Sequence, residues 1–128
     1  MGTIQITRAG IKDIEKLQTI GRQTFYETFA EGNTEENIKK YLEEGFSDQK
    51  LNNELNDMNS QFYLAAMGTQ LIGYLKINLG QAQTELKDRA SLEIERIYVL
   101  KEFHGRKVGQ LLYDKAIEIA KQAKSNYV

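Results

Sequence analysis

The sequence predicts an α+β fold of three layers, in which a mostly antiparallel sheet carries helices on both faces. Apolar residues recur at helical spacing in some stretches and alternate or cluster as strands in others, in the order β-α-α-α-β-β-β-α. Two strand-like runs, Gln61 to Met67 and Gln70 to Leu79, are separated only by Gly68-Thr69, which favours a hairpin and therefore antiparallel pairing. The length, 128 residues without repeats or low-complexity tracts, suits one domain around one core.

In chain order, Ile4-Gln5-Ile6-Thr7-Arg8 alternates and opens the sheet. Gly10 to Asp13 starts a helix, with Asp13 favouring its positive end. Ile14, Leu17, Gly21, Thr24, Phe25 and Thr28 form its inner face. Its last turn, Phe25 to Phe29, is rich in aromatic residues, which pack a core or line a cleft. Thr34 caps a second helix with Ile38, Tyr41 and Leu42 inward, and Gly45 ends it. Ser47 caps a third, with Leu51, Leu55 and Met58 on one stripe. Glu31, Glu35, Glu36, Glu43 and Glu44 in this region form either a solvated face or an acidic rim that attracts a polycation. In the second hairpin arm Leu71, Gly73, Leu75, Ile77 and Leu79 face one way, and residues 80–89 are a polar loop. Asn126-Tyr127-Val128 begins another strand.

The densest signal runs from Leu92 to Ala123. Residues 92–100 form a strand, and Val108, Leu111, Leu112, Ala116, Ile119, Ala120 and Ala123 form one face of a helix. The apolar side chains of the strand change parity, from Leu92 and Ile94 to Ile97 and Val99. Either an extra residue near Glu95 or Arg96 makes a β-bulge, or the strand is buried on both faces. Between strand and helix, His104-Gly105-Arg106-Lys107-Val108-Gly109 places two glycines and basic side chains at a helix N-terminus. Free N–H groups and the helix dipole make such a turn suited to an anion, most often a phosphate.

Composition excludes several classes. Cysteine is absent, so neither disulfides nor thiolate chemistry is available, and a cytoplasmic location is expected. A net charge of −1 argues against general nucleic-acid binding. No apolar run approaches transmembrane length, no signal peptide is visible, and Ile6 stands where N-myristoylation after Gly2 needs Ser or Thr. The single histidine, His104, rules out His-rich zinc sites, and no metal site is expected. A phosphate-loop nucleotide enzyme is disfavoured by the missing Gly-Lys-Ser/Thr ending.

The stretch from Glu93 to Gly109, ERIYVL followed by EFHGRKVG in its core, resembles the acetyl-CoA motif of the GNAT N-acetyltransferases. That motif runs Gln/Arg-x-x-Gly-x-Gly/Ala after a strand ending in Val. His104 stands at the Gln/Arg position, Lys107 at the first Gly and Gly109 at the second, so two of three positions differ. The wording LEIERIYVL and YDKAIEIA is most similar to the PaiA-type spermine/spermidine acetyltransferases, over residues 90–128. The resemblance implies a GNAT-type mixed sheet whose final strands lie beyond Val128, together with a general-acid tyrosine there. The domain is therefore expected to be incomplete at its C-terminus, with a second copy covering the open sheet edge in a homo-oligomer.

The resemblance further implies that acetyl-CoA is the cosubstrate and a small primary amine, a polyamine such as spermidine or spermine, the acceptor. Backbone groups of Ile97, Tyr98 and Val99 would pair with the pantetheine arm, with an N–H near Val99 polarising the thioester. N–H groups from Gly105 through Arg106, Lys107, Val108 and Gly109 to Gln110 would hold the diphosphate, beside His104. Tyr26 and Phe29 are expected in the acceptor cleft. A polyamine nitrogen of pKa about 10 arrives charged, so its proton needs an acceptor. Glu95, aimed by the bulge, is the expected one, and Glu93 on the same nominal face would bind a remote ammonium. Both carboxylates could instead be exposed partners of Arg96 or Lys101. The alternative function is an inactive GNAT-like domain that binds coenzyme A or another protein.

Overall fold

The structure, a computed structural model, describes residues 3–57, 59–79 and 92–122. Met58, the loop at 80–89, Ala123 and the strand expected at 126–128 lie outside the described residues. The elements are β1 (Ile4–Ala9), α1 (Ile14–Phe29), α2 (Glu35–Gly45), α3 (Asp48–Asn56), β2 (Ser60–Met67), β3 (Gln70–Leu79), β4 (Leu92–Val99) and α4 (Val108–Gln122). The predicted order holds among the described residues.

Local chemistry sets the helix starts. The Gly10 N–H donates to Asp13 Oδ2 at 2.9 Å, and a short 3₁₀ turn over Ile11–Asp13 leads into α1. Thr34 Oγ1 accepts from the Asn37 N–H and Ser47 Oγ from the Lys50 N–H, each at 3.2 Å, as N-cap residues do.

The strands lie in the order β1-β2-β3-β4, all antiparallel. Period-two alternation assigns the faces. Lys76 of β3 lies over the Phe62 ring and pairs with Glu54 of α3, so even-numbered residues of β2 and β3 face α1–α3. Tyr63 meets Lys115 of α4, so odd-numbered residues face that helix. Val108, Leu112, Ala116 and Ile119 of α4 close one half of the core, while Leu17, Ile20 and Leu51 help close the other.

The parity change in β4 is a bulge: Lys76 pairs with Arg96 and Ile77 with Ile94, leaving Glu95 as the extra residue. A second bulge was not expected. Ala65 pairs with Gly73 and Ala66 with Leu71, so Ile72 is inserted and Leu71 falls out of phase with Gly73, Leu75 and Ile77. Tyr41 also departs from expectation. It is 57% exposed, because its ring stacks flat on Phe25 (centroids 4.5 Å apart, 9° between planes) at the surface between α1 and α2.

Candidate active site

An open cleft of about 560 Å³ follows the outer edge of β4, between the end of α1 and the start of α4. Ile97, Tyr98 and Val99 form its floor, and His104, Gly105, Lys107, Val108 and Gly109 form its end wall. Thr28 contributes from α1, a residue expected only on the helix's inner face.

Antiparallel geometry decides which backbone groups reach this cleft. The Leu100 N–H donates to the Ile72 carbonyl at 2.8 Å, continuing the β3–β4 ladder past the Gly73–Val99 pair. Hydrogen-bonded and non-bonded pairs alternate, so Val99 and Ile97 turn their N–H and C=O groups outward. Tyr98 turns its own toward Tyr74, which corrects the expectation that all three residues offer backbone groups to a ligand. The outward Val99 carbonyl is already engaged, since His104 Nε2–H donates to it at 2.9 Å. The imidazole thus braces the strand end as well as lining the cleft.

The turn is strained at Lys107. Gly105 has φ 87° and Lys107 φ 62°, a left-handed conformation that glycine adopts freely and lysine does not. The helical ladder begins with the Leu111 N–H donating to the Lys107 carbonyl at 3.1 Å. The N–H groups of Val108, Gly109 and Gln110 precede it and have no acceptor within the helix. The Arg106 N–H, expected among the anion donors, is spent on the Phe103 carbonyl at 3.3 Å, and its guanidinium lies 5.2 Å over the Phe103 ring. The side chains of Arg106 and Gln110 are exposed, and neither residue lines the cleft.

The bulge turns Glu95 toward α3. Its Oε1 accepts from Asn78 Nδ2 at 2.6 Å and lies 2.9 Å from Lys76 Nζ, while its Oε2 lies 3.0 Å from the Arg96 guanidinium. Glu95 is not among the residues lining the cleft; it stands two residues before Ile97 in β4. Burial pushes its carboxyl pKa up, but the hydrogen bonds from Asn78 and Lys76 and the charges of Lys76 and Arg96 outweigh that and hold it below the ordinary value. Glu93 shares this side, its Oε1 accepting from the same Asn78 amide at 2.9 Å. Glu54 of α3 completes the cluster, 3.4 Å from Lys76 and 3.7 Å from Arg96.

Beside the cluster lies a small cavity of about 130 Å³. Phe29 lines it, together with Phe25, Tyr41, Tyr74, Arg96 and Tyr98, and Tyr98 is also part of the cleft. The Tyr74 hydroxyl is buried near the Arg96 guanidinium without completing a hydrogen bond, and burial pushes its pKa up to about 12. Tyr26 is not brought together with these residues. It lines a separate groove with Ile38 and Leu42 between α1 and α2.

Sequence reasoning missed Lys76, Asn78, Ser60 and Glu54. A signal was available, since Lys76 and Asn78 stand two apart in the otherwise apolar run LIGYLKINL. They are 6% and 0% exposed, a line of polar groups facing inward. No group of three or more His, Cys, Asp or Glu side chains suited to a metal occurs among the described residues.

Comparison with known proteins agrees with this architecture. The chain is 27% identical to a spermidine N(1)-acetyltransferase of Thermoplasma acidophilum, over 94% of its own length and 72% of that protein. The crystal structure of the PaiA N-acetyltransferase from Thermoplasma acidophilum in complex with coenzyme A superposes with a TM-score of 0.81 at 26% identity, covering 96% of this chain and 75% of that one. An uncharacterised N-acetyltransferase from the pepI 3′ region of Lactobacillus delbrueckii subsp. lactis is 36% identical, over 92% of this chain and 68% of that protein. The family model described as Acetyltransferase (GNAT) family matches residues 22–128, and the chain belongs to that family.

Proposed function

We propose that this chain transfers the acetyl group of acetyl-CoA to a primary amine of a polyamine such as spermidine or spermine, in the cytoplasm. The observation that carries the reading is the cleft along β4, where outward backbone groups of Ile97 and Val99 meet a strained basic turn at a helix N-terminus. The turn fits a diphosphate: N–H groups of Val108, Gly109 and Gln110 lie ahead of the α4 ladder, and Lys107 adds a cation beside them. The polyamine assignment is supported by the spermidine acetyltransferase relative. The outer edge of β4 has no strand partner among the described residues, and we take its first half, Leu92 to Arg96, as the place where a second copy adds to the sheet, leaving Ile97 to Val99 to the cofactor.

Acetyl-CoA supplies an activated acetyl group, which leaves sulfur for nitrogen as the new C–N bond forms and the C–S bond breaks. The chain's residues provide the rest. Ile97 pairs with the extended arm as a further strand would, and the outward Val99 N–H, whose carbonyl His104 already holds, faces the carbonyl oxygen on which negative charge develops. Glu95 receives the amine's proton through an intervening water. Its lowered pKa makes it a weak base, so the rate follows the neutral fraction of the amine and rises with pH toward about 10.

The test is an assay of coenzyme A release from acetyl-CoA with and without spermidine, with the product weighed by mass spectrometry. The expected outcome is amine-dependent release and monoacetylated spermidine. Glu95→Gln should lower kcat by about 100-fold while acetyl-CoA affinity is kept. Tight acetyl-CoA binding without release to any polyamine would overturn the polyamine reading and favour a binding or interaction module.

A further inference from the structure

Lys76 occupies a position where a central strand normally carries an apolar side chain. It is 6% exposed, its ammonium lies 5.6 Å from the Phe62 ring centroid, and it contacts two carboxylates, Glu95 at 2.9 Å and Glu54 at 3.4 Å. A buried ammonium is costly unless paired, and replacing such a cluster with apolar residues is often neutral or stabilising. Stability alone therefore gives little reason for a lysine here. Fixing one arrangement of a polar group is a better reason.

The group that needs fixing is Glu95. As the inserted residue of the bulge, it has no residue opposite it on β3 to set its direction. Side chains set it instead. Lys76 and Asn78 from β3 hold Oε1, and Arg96 holds Oε2. Asn78 is fixed in turn, since Ser60 Oγ donates to its Oδ1 at 3.0 Å. Lys76 reaches beyond the sheet to Glu54, so it couples the carboxylate to α3.

We propose that Lys76 is a positioning residue for acetyl transfer, holding the Glu95 carboxylate in one orientation against Arg96, which lines the small cavity that shares Tyr98 with the cleft. The proposal rests on the reading of Glu95 as proton acceptor. The charged and titratable groups facing Glu95 are Lys76 of β3, Arg96 and Glu93 of β4, and Glu54 of α3. Burial pushes the Glu95 carboxyl up while Asn78, Lys76 and Arg96 pull it down by a larger total. Removing Lys76 therefore raises the Glu95 pKa, and the break it sets at the acid end of kcat/KM, below the rise set by the amine, moves to higher pH.

The experiment compares the native chain with Lys76→Met, Lys76→Arg, Glu95→Gln and the Lys76→Met/Glu95→Gln double variant, measuring kcat, KM, the pH profile, acetyl-CoA affinity and melting. Lys76→Met is expected to lower kcat by about 10- to 100-fold with acetyl-CoA affinity kept. The acid-end break set by Glu95 should shift upward while the rise set by the amine stays in place, and Lys76→Arg, which keeps the charge, should recover most of the rate. In the Glu95→Gln background Lys76→Met should cost nothing further, because its effect passes through the absent carboxylate. Should Lys76→Met fail to fold, Lys76→Gln carries the same comparison. Native kcat and pH profile in the Lys76 variants, with Glu95→Gln impaired, would overturn the positioning role alone, as would an equal loss in both backgrounds. Native kcat in Glu95→Gln would instead remove Glu95 as proton acceptor, and the role of Lys76 with it.

Discussion

The two halves of β4 offer different kinds of chemistry. From Glu93 to Arg96 the side chains matter, and they are locked into hydrogen bonds and ion pairs with β3 and α3. From Ile97 to Val99 the backbone matters, its outward groups facing an open cleft. A side-chain site of the first kind depends on partners brought from distant parts of the sequence. A backbone site of the second kind needs only an unpaired strand edge and one well-formed turn. The first is therefore sensitive to sheet register and charge, the second to the shape of the turn.

The largest effect that would break this contrast is expected at Gly109. A Cβ there has room, its nearest neighbour being Val99 Cγ2 at 4.0 Å, and an acidic residue in the first turn suits the dipole of α4. Gly109→Asp should fold normally and yet weaken acetyl-CoA binding by about 100-fold or more, roughly 2.7 kcal/mol, by placing a carboxylate in the turn proposed to hold the diphosphate. Isothermal titration reads the affinity, and an unchanged value would remove the turn from the site.

A smaller effect is expected at Gly73, opposite Val99. A Cβ added there would lie 2.6 Å from the Tyr98 carbonyl oxygen, a backbone atom that no rotamer change can relieve. Gly73→Ala should destabilise the fold by about 1–3 kcal/mol in urea denaturation and weaken acetyl-CoA binding in step. Native stability would mean that β4 slides freely on β3, and the fixed geometry of the cleft half would be lost as an explanation.

The smallest effect belongs to Lys107. Lys107→Gly relieves a φ of 62°, worth about 1 kcal/mol, and gives back part of that through the greater freedom of glycine in the unfolded chain. The melting temperature should hold or rise slightly, with acetyl-CoA affinity kept or improved. A marked loss of affinity would show that the lysine charge, rather than the form of the turn, grips the diphosphate.

The same contrast explains what could be read from the sequence. The cleft half rests on local signals, glycines and basic residues at the start of a helix, just as the starts of α2 and α3 rest on their caps at Thr34 and Ser47. The Glu95 bulge was legible because a single inserted residue changes the parity of the apolar side chains around it. The bulge at Ile72 was not, because β3 is buried on both faces from Ile72 to Asn78 and carries no parity to break. Nor was the direction of Glu95, which depends on Lys76, Asn78 and Glu54 meeting across the sheet and α3. Tyr41 and Tyr26 fit a helical stripe equally well inward or outward, and the packing of α2 on α1 placed both at the surface.

Strand order also bears on how the molecule assembles. The β2–β3 hairpin joins neighbours in the chain through a tight turn, so its closure entropy is low and it can form early. β1 must find β2 across the whole run of α1, α2 and α3. Its pairing comes at the far end of a long loop, which makes the amino-terminal strand the natural last piece to dock and the first to detach under stress.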